Sequence, residues 1–510
     1  MKLKLKNIII ILFIGYLYSY EVIDSSLILN HNIDKKAILI PDYEKKYFNF
    51  KNQFLGKSKK IFVDFDFGYI SNNCSNLIIS PSIKYKKIKF KINLDYLINN
   101  QSSLYKNQWD EAFDVLEKIE YLNLILFKNK VNLNLGEIKN LTFGHGYLLN
   151  RYGNNYNAPI DKNLGITFRF KNSNDSFTYS LFASDLEDLL NSKGLIGHHF
   201  SFLVSELFPF RFGFGHVVDL NQFTNYEDRD FSRQIHGFES DFTFPLLSSS
   251  RYSVLFIGEI SGLRFPETRY YKRVDDDQFT NDKKSRDGTW GIAFPGIKYI
   301  SQNFEFKLAL NYNSAIHSPY YFNRTYNFEK VRHRQYNIQN NESLYPDEAD
   351  LLMSFSDSEN NIFLPKDMYG MINDYENTYP SYGVSASLNS KLNTHSNIII
   401  DYSYFLEFGN TINDLSFHSL SIDLIGKLNI LSLDTEFDIF FTKNFCESSQ
   451  FSILENENTM YGARIDLNIY KRLSIFGELK YTFYEIDSVP DPDGVIDQVS
   501  YINMGLKLKY

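Results

Sequence analysis

The 510-residue sequence predicts an all-β fold, a transmembrane, antiparallel, up-and-down β-barrel of about 20 strands (range roughly 18–22). Three observations carry this. Hydrophobicity alternates with a period of two over segments of 9 to 13 residues, and the links between segments alternate short and long. Aromatic residues make up 17% of the chain, against only 26 Gly and 13 Pro. Aromatic and β-branched side chains favour strands, and so few chain breakers exclude a collagen-like or low-complexity polymer.

The rest of the composition narrows the class. Two cysteines, Cys74 and Cys446, supply neither a disulfide scaffold nor a Cys-based zinc site. A net charge of −8, from 53 Lys+Arg and 61 Asp+Glu, disfavours a nucleic-acid binder. At the N-terminus Lys2, Lys4 and Lys6 precede an apolar run from Ile8 to Leu17. That run is about ten residues long, where a spanning helix needs roughly 20. It reads as a signal peptide over residues 1–19, cleaved after Ser19. No Cys follows that position to carry a lipid anchor, and no later stretch holds 18 consecutive apolar residues.

The alternation begins after about 60 residues and persists to the end. Ile88, Phe90, Ile92, Leu94 and Tyr96 alternate with Lys89, Lys91, Asn93 and Asp95. Leu433, Phe437, Ile439 and Phe441 share one face, while Asp434, Glu436 and Asp438 share the other. Ala463, Ile465, Leu467 and Ile469 face away from Arg464, Asp466 and Asn468. Ordinary strands run about 5–6 residues, whereas a tilted membrane strand takes about 9–11. An apolar face set against lipid, with every backbone group paired, requires a closed barrel.

The links test this independently. Short polar ones lie at 86–87, 128–130, 172–175, 206–209, 245–250, 301–303, 393–396, 428–430 and 470–472. Longer ones alternate with them, at 71–76, 99–117, 138–163, 185–194, 219–233, 263–287, 314–381, 408–416, 442–457 and 484–497. The parity holds only if 138–163 is a loop, although Leu141 to Leu149 has strand-like character. The 314–381 link is long enough to conceal a hairpin or to fill a lumen.

The chain ends Asn503-Met504-Gly505-Leu506-Lys507-Leu508-Lys509-Tyr510. Asn503, Gly505, Leu508 and Tyr510 take the polar, glycine, hydrophobic and terminal aromatic places of the β-signal of bacterial outer-membrane proteins. On these residues the chain resembles outer-membrane β-barrel (porin-like) proteins at class level. The resemblance implies cleaved export through the inner membrane, folding by the barrel-assembly machinery, contact with outer-membrane lipid, extracellular long loops and periplasmic short turns. It divides the chain into the signal peptide, a periplasmic or lumen-entering segment at 20–60, and the barrel at 61–510. About 40 residues before Ile61 are too few for the folded plug of a siderophore-type transporter. A fatty-acid-type channel fits that length but lacks the expected Asn-Pro-Ala motif.

Candidate sites follow from the topology. The polar faces place charges of both signs on the lumen, among them Lys89, Lys91, Arg169, Arg211, Glu239, Asp241, Asp434, Glu436 and Asp438. Arg151 lies in the glycine-spaced segment Leu141–Asn154, readable as an inward-folded constriction or as a strand extension above the membrane. His198, His216, His236 and His418 share faces with Phe, Leu and Ile and point to lipid, which suits a girdle rather than a metal site. His199, beside Ser201 on the polar face, is the exception. Gly144-His145-Gly146 lacks the third glycine and the helix of a nucleotide site, and no HExxH motif occurs. No catalytic residue, metal or cofactor is expected.

The expected function is a channel for small hydrophilic solutes, weakly cation-preferring because rings of carboxylates raise local cation concentration. The alternatives are a surface-exposed adhesin on a barrel support and a channel for hydrophobic substrates. The solute and the oligomeric state stay open.

Overall fold

A computed structural model describes residues 60–70, 74–85, 87–99, 112–154, 163–205, 209–223, 233–265, 268–275, 278–284, 289–314, 317–335, 361–366, 380–407, 416–430, 433–447, 451, 459–470, 473–482 and 499–509. The expected signal peptide, the segment up to residue 59 and Tyr510 lie outside these residues.

Twenty antiparallel strands form one ring. They are β1 (Lys60–Ile70), β2 (Cys74–Tyr85), β3 (Ile88–Ile92 continued by Leu94–Asn99), β4 (Ile119–Leu126) and β5 (Val131–Gly136). Next come β6 (Gly165–Lys171), β7 (Phe177–Ala183), β8 (Leu195–Leu203), β9 (Arg211–Asp219) and β10 (Ile235–Ser248). β11 (Tyr252–Arg264), β12 (Thr289–Ser301), β13 (Phe304–Asn313), β14 (Ser381–Lys391) and β15 (Asn397–Glu407) follow. β16 (Ser416–Ile430), β17 (Leu433–Glu447), β18 (Thr459–Tyr470), β19 (Leu473–Thr482) and β20 (Val499–Lys509) complete the wall. Each strand pairs with its neighbour in sequence, and β20 pairs with β1 from Asp64↔Lys509 to Ile70↔Asn503. The sheet therefore closes on itself and leaves no unpaired edge.

Short and long links alternate round the two rims as the sequence predicts, with one difference. The β1–β2 link spans only 71–73, because the pairing of β2 starts at Cys74. The long links carry structure of their own. Thr268–Asp275 pairs with Gln278–Lys284, and Val331–Gln335 pairs with Asn361–Pro365.

Period-2 alternation decides what each face meets. On β12 and β13, Ile297, Leu308 and Leu310 stand outward and more than 40% exposed, while Lys298, Glu305 and Asn311 turn inward and are buried. An apolar surface running round a closed ring is far larger than a water-exposed patch on a soluble monomer, and lipid is its solvent. A charge placed near the middle of β12 tests this. Ile297→Arg is expected to lower the stability of the folded barrel by about 2–4 kcal/mol in lipid. Urea titration in liposomes reads this effect, and an unchanged midpoint would place Ile297 off the lipid surface.

Candidate functional site: a septum across the barrel lumen

Two long links fold into the ring and meet. The first follows β5. Leu141 and Tyr152 exchange backbone hydrogen bonds of 2.8 and 2.9 Å, and Phe143 N donates to Leu149 O at 3.2 Å. The resulting hairpin turns at Gly144 (φ +51) and Gly146 (φ +81), in the left-handed region that glycine enters without steric penalty. Gly144 also approaches the wall closely: a Cβ there would lie 3.2 Å from both Asp241 and Glu259.

Glu259 on β11 clamps the hairpin tip. Its Oε2 accepts the His145 N–H at 2.7 Å, and its Oε1 accepts those of Tyr147 (3.0 Å) and Leu148 (3.3 Å). The His145 ring lies 2.9 Å through Nε2 from Phe242 O, and Lys307 Nζ donates to His145 O at 2.6 Å. Such a concentration of backbone donors on one carboxylate is the strong, charge-assisted kind of hydrogen bond.

The second link follows β13 and docks on the first. Tyr320 N donates to Tyr147 O (2.7 Å) and Phe322 N to Leu148 O (3.2 Å), and Phe322–Asn323 runs parallel to Leu149–Asn150. A single helical turn at Tyr326–Glu329 follows. Tyr326 OH donates to Asp219 on β9 (2.7 Å), and Asn444 on β17 donates to Glu329 (2.9 Å). Lys366 closes the unit by donating to Glu329 Oε2 (2.5 Å) and Tyr321 O (2.8 Å).

The two faces of this septum differ. Toward β7–β11, apart from the Glu259 clamp at the tip, the His145 contact with Phe242 O and the Tyr326–Asp219 hydrogen bond, it is apolar: Leu148, Leu149, Tyr152, Phe322 and Tyr326 are wholly buried against Phe182, Leu195, Val217, Ile235 and Leu263. Here the wall departs from the expected polar lumen, because the septum rather than water covers it. Toward β13–β17 the contact is ionic. Arg151, in a left-handed conformation at φ +55, donates through Nη1 to Asp401 at 2.7 Å and pairs through Nη2 with Asp423. Arg324 forks onto both oxygens of Asp423 and also donates to Asn140 (2.7 Å). Between septum and wall lies a narrow cleft, lined by Arg151, Arg324 and the hydroxyls of Ser385, Ser387, Ser403 and Ser421.

Burial sets the protonation of the loop groups. It pushes His145 down from its ordinary 6.5 to about 4 and His317 to about 3. Burial alone would raise Glu329, but Lys366 overrides it and the carboxyl falls to about 2.

Of the residues singled out from sequence, Arg151 sits in the septum. Glu239 and Asp241 share the inner face of β10 and meet His199 from β8, and Arg211 on β9 donates to Ser201 (3.1 Å) and to Asp175 O. Arg169 lies on β6 opposite Ser180. Lys89 and Lys91 lie on β3, where Lys91 pairs with Glu120. Asp434, Glu436 and Asp438 lie on β17, where Glu436 pairs with Lys427 and Asp438 stands opposite Arg464 in register. Five strands separate this acidic run from β3, so the two are not brought together. Asn503 is buried at the seam opposite Ile70, Gly505 stands opposite Gly68, and Leu508 faces outward. His216 and His236 stack 5.4 Å apart on the outer face, beside Phe238.

Sequence reasoning did not single out Glu259, Asp401 and Asp423 as septum anchors, nor Arg324 as the partner of Asp423. The legible signal for the wall beneath the tip was Phe212-Gly213-Phe214-Gly215, two glycines alternating with outward rings.

Fold and site together define a membrane-spanning β-barrel with a lumen crossed by its own loops, the architecture of bacterial outer-membrane barrels. No family model matches the chain, and no curated relative does. Among solved structures it is similar to the FrpB iron transporter of Neisseria meningitidis (TM-score 0.34, 9% identity, 89% of this chain and 82% of that one). It is also similar to Wzi of Escherichia coli (TM-score 0.33, 10% identity, 92% and 89% covered) and to OpdQ of Pseudomonas aeruginosa (0.33, 7%, 89% and 96%). At these values the likeness says nothing of solute or partner.

Proposed function

We propose that this protein is an outer-membrane channel through which small hydrophilic solutes pass between the septum and the β13–β17 wall. The cleft carries the reading: it is lined by small hydroxyls and two arginines, while the apolar side of the septum is sealed against β7–β11. Small hydroxyls replace part of a solute's hydration, and fixed charges of both signs orient a polar one across the gap. The signal peptide, the terminal β-signal and the apolar outer face support export, assembly by the barrel machinery and residence in outer-membrane lipid. A weak cation preference belongs to the same reading, resting on the acidic run of β17.

Purified barrel in planar bilayers is expected to conduct in discrete steps with a reversal potential favouring cations. Neutralising Asp434, Glu436 and Asp438 together should remove that bias, and deleting residues 142–151 should raise unit conductance several-fold. A folded, heat-modifiable barrel silent even after the deletion would sink the channel reading in favour of an adhesin-type support.

A further inference from the structure

Beneath the hairpin tip the wall holds a group of side chains that solute passage does not use. His199 on β8 and Glu239 and Asp241 on β10 offer one ligand atom each, all within 4.8 Å of one another. His199 Nε2 lies 2.7 Å from Asp241 Oδ2 and 3.9 Å from Glu239 Oε1. These strands are not neighbours; β9 runs between them. The side chains meet because β9 presents glycine twice at that level. A Cβ on Gly213 would lie 2.1 Å from Asp241 Oδ2 and 2.8 Å from His199 Nε2, and one on Gly215 would lie 2.5 Å from Glu239 Oε1. Phe143 of the septum stacks on the His199 ring at 5.5 Å and covers the group from above.

The electrostatics are incomplete. The Glu239 side chain is fully buried, no N–H or hydroxyl among the described residues donates to its oxygens, and the carboxyl of Glu259 is the group they lie against. Neighbouring Glu259 is committed to the loop N–H groups, and Arg211 directs its two terminal nitrogens to Ser201 and Asp175. A buried carboxylate left in this state is costly, and a multivalent cation relieves it.

The geometry points to a divalent transition-metal site in the wall, with His199 Nε2, Glu239 and Asp241 as its ligands. One imidazole and two carboxylates suit ions such as Zn²⁺, Mn²⁺ or Co²⁺. Ligand bonds of about 2.0–2.2 Å are reached by small rotations of the two carboxylates. The ion lies directly under Gly144 and ties the wall below the septum together.

The test is direct binding to the full barrel in detergent, after chelator treatment. Co²⁺ titration followed by visible absorption, with metal analysis after desalting, should give one ion per chain, displaced by Zn²⁺. Glu239→Gln keeps the shape of the side chain, and it and His199→Gln are expected to weaken Co²⁺ at least tenfold. His216→Gln, on the lipid side, should leave binding unchanged. Heat-modifiable mobility on gels verifies folding of each variant. Folded wild-type barrel that binds no Co²⁺, Zn²⁺ or Mn²⁺ at micromolar concentration would overturn the site and leave Glu239 and Glu259 sharing a proton instead. Binding that survives in both ligand variants would overturn it equally. Neither outcome depends on whether the barrel conducts.

Discussion

Asp423→Ala is expected to free the septum from the β16 wall. Asp423 is 2% exposed and receives two guanidiniums, those of Arg151 and Arg324, themselves 7% and 5% exposed. Removing one member of a buried ionic group typically costs about 3–5 kcal/mol, because the remaining charge is left uncompensated. Arg151 keeps Asp401, whereas the Arg324 contacts with Asn140 and with the face of Phe440, 6.0 Å away, bring it no carboxylate. The septum should therefore open while the ring, held by its own ladders, stays folded. Limited trypsin digestion of the embedded protein reads this, with cleavage at Arg151 and Arg324 appearing in the variant and absent from wild type. Asp423→Asn, which preserves shape and one acceptor, should fall between the two. Wild-type protection in Asp423→Ala would show that the remaining contacts hold the septum without this ionic group.

Acidification is expected to act in the same direction. Docked, His145 stays neutral down to about pH 4 and His317 to about pH 3, whereas a released ring takes up a proton near 6.5. Both folded values are depressed, so docking is unpenalised above pH 6.5 and weakens progressively as the pH falls toward 4. Each tenfold preference for the neutral ring is worth about 1.4 kcal/mol, so the two histidines together destabilise the docked loops by several kcal/mol at the acid end. Glu329 adds to this lower down, since its stabilisation is present above 4.5 and lost as the pH falls toward 2. Amide exchange over 141–152 should accelerate between pH 6.5 and 4, after correction for intrinsic rates, and unit conductance should rise. His145→Gln, which retains a donor for Phe242 O, should shift the onset to lower pH. Uniform protection across that range would contradict the assignment of neutral buried rings.

The wall was legible because its code is local. A strand such as Leu433–Glu447 declares its two faces in every pair of residues, and the rims declare themselves in link length. Twenty strands follow from that alone. The septum was legible only in outline. The length and glycine spacing of 141–154 marked it, and Arg151 stood out as a charge on an aromatic loop. Its partners did not stand out, because Asp401 and Asp423 look like any other inward carboxylates on alternating strands. Docking a loop onto a wall more than a hundred residues away follows no periodic rule. Inward Val217, Ile235 and Leu263 broke the expected polar face for the same reason: what covers them comes from distant chain. The convergence of His199 with Asp241 needed a third strand to give way, and glycine at two successive inward positions of β9 was its only trace.

The ring and the septum together form a braced hoop. Phe182 on β7 and Asn444 on β17 stand ten places apart among twenty strands, at opposite ends of a diameter, and the septum is fastened at both. An unbraced ring of this girth flattens easily under lateral pressure, since bending a sheet along its hydrogen bonds breaks none of them. A strut with a largely apolar foot at one end and polar and ionic feet at the other resists that deformation. Membrane tension and septum attachment thus become mechanically linked, so releasing the strut should soften the barrel's cross-section.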